Sequence, residues 1–336
     1  MDAVEFWFPL LNLPEKAWKY VLQYLDTVDQ LSLSLCCEEL KTIINAHHPK
    51  ACVTCVYIKN SVGFEIMFPG VPNITITFFD QEMPLDTDPQ LPIPEIVKVK
   101  QSKYIEDDVL TQWNNSQSFQ YWIDHFKEVF DCSEISLSFE LEEELNPIFY
   151  NSLEKLTIGD IELNTLTSED LVTKFVSRTE KLFINGKHPF KKENFQKICI
   201  QNFEKLHLLN HEISMDTVLL INASTMAITT KFREKELNMY LKLWKNGANP
   251  RMRCLRMSIE RKLNHNLVLK GIKFEEAPHE KKMQFKLYRD QFRRNNINPE
   301  DLTNFGGFII KRNGDPATIL IVTTTISTCF QMLVHS

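Results

Sequence analysis

His47, His48, Cys52 and Cys55 are the residues whose types and spacing come closest to a chemical centre in this chain. Two cysteines at CxxC spacing with two nearby histidines could supply the four ligands of a tetrahedral zinc ion. The details argue against it. Adjacent histidines are poorly placed to share one ion, there is no second CxxC, and Cys52 and Cys55 fall in an alternating pattern that points them to opposite faces of a strand. A redox CxxC follows a strand and opens a helix, which this one does not. No GxSxG elbow, HExxH, GxGxxG or GxxxxGK[ST] occurs. The runs Glu106-Asp107-Asp108 and Glu142-Glu143-Glu144 read as solvated faces. Lys281–Arg294 mixes six basic residues with Phe285, Tyr288 and Phe292, as a basic rim on a recognition domain would, with RNA contact as the alternative. A hydrolase whose Ser or Cys, His and Asp meet only in space is the other alternative. The residues with the strongest pattern are not catalytic at all.

That pattern is FPLLNLPEKAWKYVLQYLDTVDQLSLSLCCEELKTII, from Phe8 to Ile44. Leu13-Pro14-Glu15 reads as a helix start, since proline loses nothing in the first turn. Trp18, Val21, Leu22 and Leu25 follow at helical spacing as one apolar stripe. Thr27-Val28-Asp29-Gln30 has the spacing of a capping box, with Thr27 as cap and Gln30 reaching back. Leu31, Leu35, Leu40, Ile43 and Ile44 extend the pattern. Two short helices cannot hide this many apolar side chains, so the surplus faces either the rest of the chain or a partner.

Composition limits what the remainder can be. Of 336 residues, 43% are hydrophobic and 24% charged, which suits a folded protein of about two domains. The net charge of −6 lacks the basic excess of a general nucleic-acid binder. Only 9 glycines are present, too few to favour phosphate-cradling loops, whereas 23 phenylalanines favour large buried faces and recognition surfaces. The opening MDAVEFWFPLL carries Asp2 and Glu5 in place of a basic signal region. The 8 cysteines are scattered. Reduced thiols and a cytoplasmic or nuclear location are therefore expected. Pro316–Ser336 lacks Lys, Arg, Asp and Glu, but its threonines and β-branched residues suit strands better than a membrane helix.

The Phe8–Ile44 stretch resembles an F-box: Leu13, Pro14 and Glu15 open it, the stripe Val21-Leu22-x-x-Leu25 follows, then Asp29-x-Leu31 and another helix. Where that family often has Val-Ser-Lys and a Trp or Arg, this chain has Cys36, Cys37, Glu38 and Glu39. The resemblance implies docking to the Skp-type adaptor of a cullin–RING ubiquitin ligase, and through it to a cullin. Leu10, Leu13, Pro14, Val21, Leu22, Leu25 and Leu31 would be the adaptor contacts. The other end agrees. Gly306, Gly307, Phe308, Ile310 and Arg312, then Ala317-Thr318-Ile319, then Phe330, Met332 and Val334 resemble the closing segment of the F-box-associated region in the large nematode F-box families. Asn313-Gly314-Asp315 is a turn between two β-prone runs.

Between the ends, EKLTI at Glu154, EKLFI at Glu180 and EKLHL at Glu204 recur, placing Leu156, Leu182 and Leu206 in equivalent positions. Ile135-Ser136-Leu137, Met226-Ala227-Ile228 and Leu255-Arg256-Met257 are weaker echoes. Each is a short strand followed by a helix-prone segment such as Ser168–Val176, which Thr167 or Ser168 could cap. A strand-plus-helix period of about 20–29 residues is leucine-rich-repeat spacing. The expected fold is therefore α/β: a helical F-box over 5–50, connecting strands, a Pro-rich loop around Pro84–Pro94 and a helix over 51–130, and a degenerate repeat-like solenoid over 131–336 closed by antiparallel strands. In it Ser136, Thr157, Phe183, His207 and Arg256 would form a row on the recognition surface for an unknown protein substrate. No cofactor or metal is expected. The resemblance implies a substrate-recognition subunit that is not itself an enzyme.

Overall fold

The computed structural model describes residues 12–47, 51, 53–58, 61–68, 71–79, 93–102, 109–131, 134–140, 153–154, 156–164, 169–186, 190–209, 213–278, 307–312, 315–323 and 328–335. Tertiary contacts divide the chain into two compact units, Met1–Gly159 and Asp160–Ser336. The Pro-rich segment around 84–92, the basic stretch 281–294, Leu10, His48, Cys52, Gly306 and the capping residues Thr167 and Ser168 lie outside the described residues.

The first unit opens with three helices, α1 (Glu15–Tyr24), α2 (Thr27–Ser34) and α3 (Glu38–His47). Their inner faces supply Trp18, Leu22, Leu31, Leu40 and Ile44 to a small core. The start of α2 differs from the expected capping box. Asp26 is the cap, its carboxylate accepting from the Asp29 N–H at 2.8 Å. Gln30 instead turns inward and donates through Nε2 to the carbonyls of Leu22, at 2.8 Å, and Leu25, at 3.1 Å. The last carbonyls of α1 would otherwise be buried without partners. Long-range need has overridden a local capping option.

Strands β1 (Val53–Ile58), β2 (Val62–Phe68), β3 (Val71–Phe79), β4 (Ile96–Gln101), β5 (Val109–Asn114) and β6 (Ile135–Phe139) stand in the order β6-β1-β2-β3-β4-β5. All neighbours are antiparallel except β1 and β6. This pairing carries the first unit past the boundary expected at 131, because β6 belongs to the sheet that β1 begins. Helix α4 (Phe119–Phe130) covers one sheet face. Phe64 and Phe78 meet Phe119, Trp122 and Phe126 with ring centroids 4.7 to 5.7 Å apart, an aromatic contact set that adds specificity to apolar burial.

In the second unit β7 (Ile158–Leu163), β8 (Lys181–Ile184), β9 (Lys205–Leu208), β10 (Thr225–Thr230) and β11 (Cys254–Ile259) are parallel and adjacent in chain order. Helices α5 (Glu169–Val176), α6 (Lys192–Cys199), α7 (Met215–Leu220) and α8 (Glu234–Lys245) make the connections. Ile161, Leu182, Leu206, Met226 and Leu255 stand in register across all five strands, and none is accessible to solvent. Successive strands enter through the same hydrogen bond, from Lys205 N to Glu180 O, Thr225 N to Glu204 O and Cys254 N to Ser224 O. The first member of the series departs from expectation. The strand begins after Leu156, at Ile158, so Ile161 takes the place assigned to Leu156 and the Ile-Glu-Leu run supplies the alternation.

Beyond β11 the direction reverses. A short α9 (His265–Val268) and the two-residue β12 (Glu275–Glu276) precede β13 (Gly307–Arg312), β14 (Asp315–Thr323) and β15 (Thr328–Val334). The antiparallel order β12-β13-β14-β15 joins the parallel strands through the β15–β11 pairing. Arg312 sets its guanidinium over the Trp244 ring, 4.7 Å from the centroid, and donates to the Ala248 carbonyl at 3.3 Å. This ties the end of β13 to α8 by a cation–π contact of roughly 1 kcal/mol or more.

Because Leu206 occupies the middle of the apolar row, Leu206→Ala should cost about 2–5 kcal/mol. Urea unfolding followed by circular dichroism should show a lower midpoint, whereas a midpoint within error of the parent would mean the row is not a shared core.

Candidate functional site

Two surfaces combine built geometry with side chains that the core does not use. The first lies on α1. Trp18 and Leu22 point inward, so the opposite side presents Ala17, Val21 and Leu25 half-buried at successive helical turns, with Leu13 leading in. Tyr20 and Tyr24, 66% and 89% exposed, border that stripe. Spacings of three and four residues join these side chains into one patch. Pro14 is exposed at the cap of α1, with its carbonyl accepting from Ala17 N and Trp18 N. Two of the residues expected to contact an adaptor are elsewhere. Leu31 is fully buried and Leu22 nearly so, since both are needed to close the three-helix core. No sequence signal had favoured Tyr20 and Tyr24; only the orientation of the helix exposes them.

The patch is held from behind by α4. Ser34 Oγ donates its proton to Leu31 O at 2.7 Å, and so it accepts from His125 Nε2, also at 2.7 Å. Lys41 lies 2.6 Å from Glu128 and 2.7 Å from Glu38, while Asn45 Nδ2 donates to the Glu128 carbonyl. His125 is 4% exposed, and burial pushes its imidazole down to about 4, with Lys41 adding to the effect and Glu128 and Glu38 opposing it. The ring is neutral at pH 7. These partners are about ninety residues apart in sequence, beyond any local pattern.

The second surface is the face of the second unit's sheet opposite the apolar row. Glu162, Phe183, His207, Ala227, Arg256 and Gln331 stand in register across it. Three of the five residues expected in such a row, Phe183, His207 and Arg256, are brought together. Thr157 is not among them: it precedes β7, and Glu162 takes its place for the same reason that Ile161 replaced Leu156. Ser136 lies in the first unit, paired with Cys55. Phe183 meets His207 edge-on, with centroids 4.6 Å apart. Asn185 donates to Glu162 and to Asn164, fixing the acidic end of the row. Burial, then the positive charges of Lys205 and Arg256, holds the His207 imidazole down to about 4. The row thus runs from a carboxylate, past an aromatic pair, over the small Ala227, to a guanidinium and an amide.

Neither surface has the makings of covalent chemistry. Burial pushes the Cys199 thiol up to about 12 and the Cys254 thiol up to about 11, which suppresses the nucleophilic thiolate. Among the described residues no three His, Cys, Asp or Glu side chains are grouped to hold a metal ion. No described helix is long and apolar enough to cross a membrane.

Comparison with protein families matches residues 10–51 to the F-box domain and residues 194–257 to the F-box associated family. The first match covers the three helices and the patch on α1. The second runs from α6 through β9, α7, β10 and α8 into β11, and so includes His207, Ala227 and Arg256 of the polar row. Comparison with curated proteins gave no match, and comparison with solved structures gave none. The chain carries an N-terminal F-box and a C-terminal F-box-associated region, as its two ends resemble.

His125 yields a pH prediction. Its folded pKa lies below the unfolded value of about 6.5, so the stabilisation is complete above pH 6.5 and is lost as pH falls toward 4. The loss should reach about 3 kcal/mol at full protonation. In urea titrations between pH 7 and 4.5, His125→Gln should flatten the acid side of the stability profile; an unchanged profile would place the acid lability elsewhere.

Proposed function

We propose that this F-box protein is a substrate-recognition subunit of a cullin–RING ubiquitin ligase. The F-box would dock a Skp-type adaptor, and the F-box-associated region would hold a protein substrate. The observation that carries this reading is the apolar patch on α1, where exposed aromatics adjoin a half-buried stripe within the F-box match. A patch of this type costs solubility unless it is covered, and rigid aromatic anchors are frequent in binding hot spots. The adaptor contacts are assigned to Leu13, Pro14, Val21 and Leu25, with Tyr20 and Tyr24 added. Leu10 also belongs to this set by its place in the motif.

For substrate recognition we assign the row Glu162, Phe183, His207, Arg256 and Gln331, at which Ala227 leaves room over the sheet. The five parallel strand–helix steps support a reading as degenerate leucine-rich-repeat-like units, because equivalent residues recur in register and enter by equivalent hydrogen bonds. The chain would work by proximity. Holding a substrate beside a charged conjugating enzyme raises the effective concentration of the reacting groups, and no side chain of the receptor needs to transfer a proton or form a bond. Such a role places the protein in the cytoplasm or nucleus.

The test is adaptor binding by calorimetry with Val21→Asp/Leu25→Asp beside the parent. A charge buried at two central contacts should weaken binding roughly a hundredfold or more, while the circular dichroism spectrum stays unchanged. Leu22→Asp would be uninformative, since Leu22 belongs to the helical core. A folded parent that does not bind the adaptor sinks the proposal.

A further inference from the structure

The two outer strands β5 and β12 are protected very differently. In the second unit β12 is two residues long and both are exposed glutamates, Glu275 and Glu276. Shortness and like charge are common ways of preventing one sheet edge from pairing with another. In the first unit β5 is six residues, Val-Leu-Thr-Gln-Trp-Asn, with no charge and no proline. Its pairing with β4 is continuous over all six positions, so no bulge twists it away. Leu110 on β5 is 60% exposed, and Ile96, opposite Asn114, is 48% exposed. These are features that an edge strand in a strictly monomeric protein is selected to avoid.

The hydrogen-bond phase shows which groups the edge offers. Asn115 N donates to Glu95 O at 2.7 Å, so position 115 and every second residue before it exchange bonds with β4. Thr111 and Trp113 therefore turn their backbone groups inward, and Trp113 stacks toward Trp122 of α4 at 6.4 Å. Leu110, Gln112 and Asn114 turn their N–H and C=O groups outward. Three donors and three acceptors stand at the edge in the spacing of an antiparallel ladder.

We propose that β5 pairs antiparallel with β5 of a second copy of this chain, about a two-fold axis at Gln112. Leu110 then lies opposite Asn114 of the partner subunit, and Gln112 faces its own equivalent, so every outward group meets a complementary one. The absence of charge on the strand favours this occupant, because self-pairing sets each residue against a residue of the same strand. Lys98 and Lys100, one strand further in, remain separated from their counterparts by both β5 strands. That distance is about 14 Å at the usual strand spacing, beyond the roughly 8 Å screening length of physiological salt. A single-strand contact is small beside a standard interface, so the dimer is a weak one, in the micromolar range.

The full chain should sediment as a concentration-dependent monomer–dimer mixture between about 1 and 100 µM. Gln112→Pro removes an outward N–H without touching the β4 ladder, a position where an edge strand tolerates proline. It should weaken dimerisation at least about tenfold. Gln112→Lys, which sets two positive charges at the axis and leaves the backbone alone, should do the same if the proline variant fails to fold. Amide hydrogen exchange gives a readout with the right period: Leu110, Gln112 and Asn114 should gain protection with concentration while Thr111 and Trp113 do not change. A parent that stays monomeric throughout, a dimer indifferent to both substitutions, or an edge protected only when an added foreign peptide binds would each overturn the proposal.

Discussion

A strand whose alternate residues are all apolar is stable only among neighbours in the same phase. This constraint organises the second unit. Ile161, Leu182, Leu206, Met226 and Leu255 exclude water together because each strand is held in register with the next. A slip of one residue would turn the whole set to the opposite face and bring Phe183, His207 and Arg256 into the core. Burying a histidine and an arginine without partners would cost several kcal/mol, so the polar row enforces the register as strongly as the apolar row does. The two faces of the sheet are one decision, made twice.

The F-box obeys a different economy. Three helices of eight to ten residues each are too short to be stable alone, and their apolar residues must serve both an internal core and an external patch. Trp18, Leu22, Leu31, Leu40 and Ile44 close the core, leaving Val21 and Leu25 to the outside. What fixes the helices is polar and long-range: Gln30 on the end of α1, Ser34 on His125, Lys41 on Glu128. Buried polar contacts contribute little net energy, but they penalise every arrangement that leaves them unmade. They therefore suit a helical unit that must present one patch in one orientation.

This division explains what the sequence could disclose. Periodicity is local, so α1, α4, the strands at Leu182, Leu206, Met226 and Leu255, and the alternation of the C-terminal segment were legible from spacing alone. The same method misplaced the first repeat, because EKLTI matches its successors in letters while the next residues, Ile158–Leu163, match them in alternation. Pairing decided between the two, and pairing is not local. Leu22 and Leu31 were indistinguishable in type from Val21 and Leu25; only the packing of three helices sorts inside from outside. Glu162 and Gln331 gave no signal because their place in the row is set by strands that lie far apart in the chain. The capping box at Thr27 failed for the same reason: Gln30 had a better use for its amide on another helix.

The chemistry of the polar row bears on what it can hold. Its two ends carry opposite charge and its centre is an edge-on aromatic pair beside an alanine. The imidazole at the centre stays neutral because it is buried between two cations, so it can offer a hydrogen bond and a flat apolar surface without adding charge. Solvent-exposed charges at either end contribute modestly to affinity but strongly to orientation, since reversing a bound segment would set like charges together. A surface arranged in this way selects the direction in which an extended segment lies before it selects its sequence. For a receptor that works by positioning, direction is the property that matters: it determines which part of a bound protein points toward the reacting partner, and a surface that bound equally well in both orientations would halve the effective concentration it was built to supply.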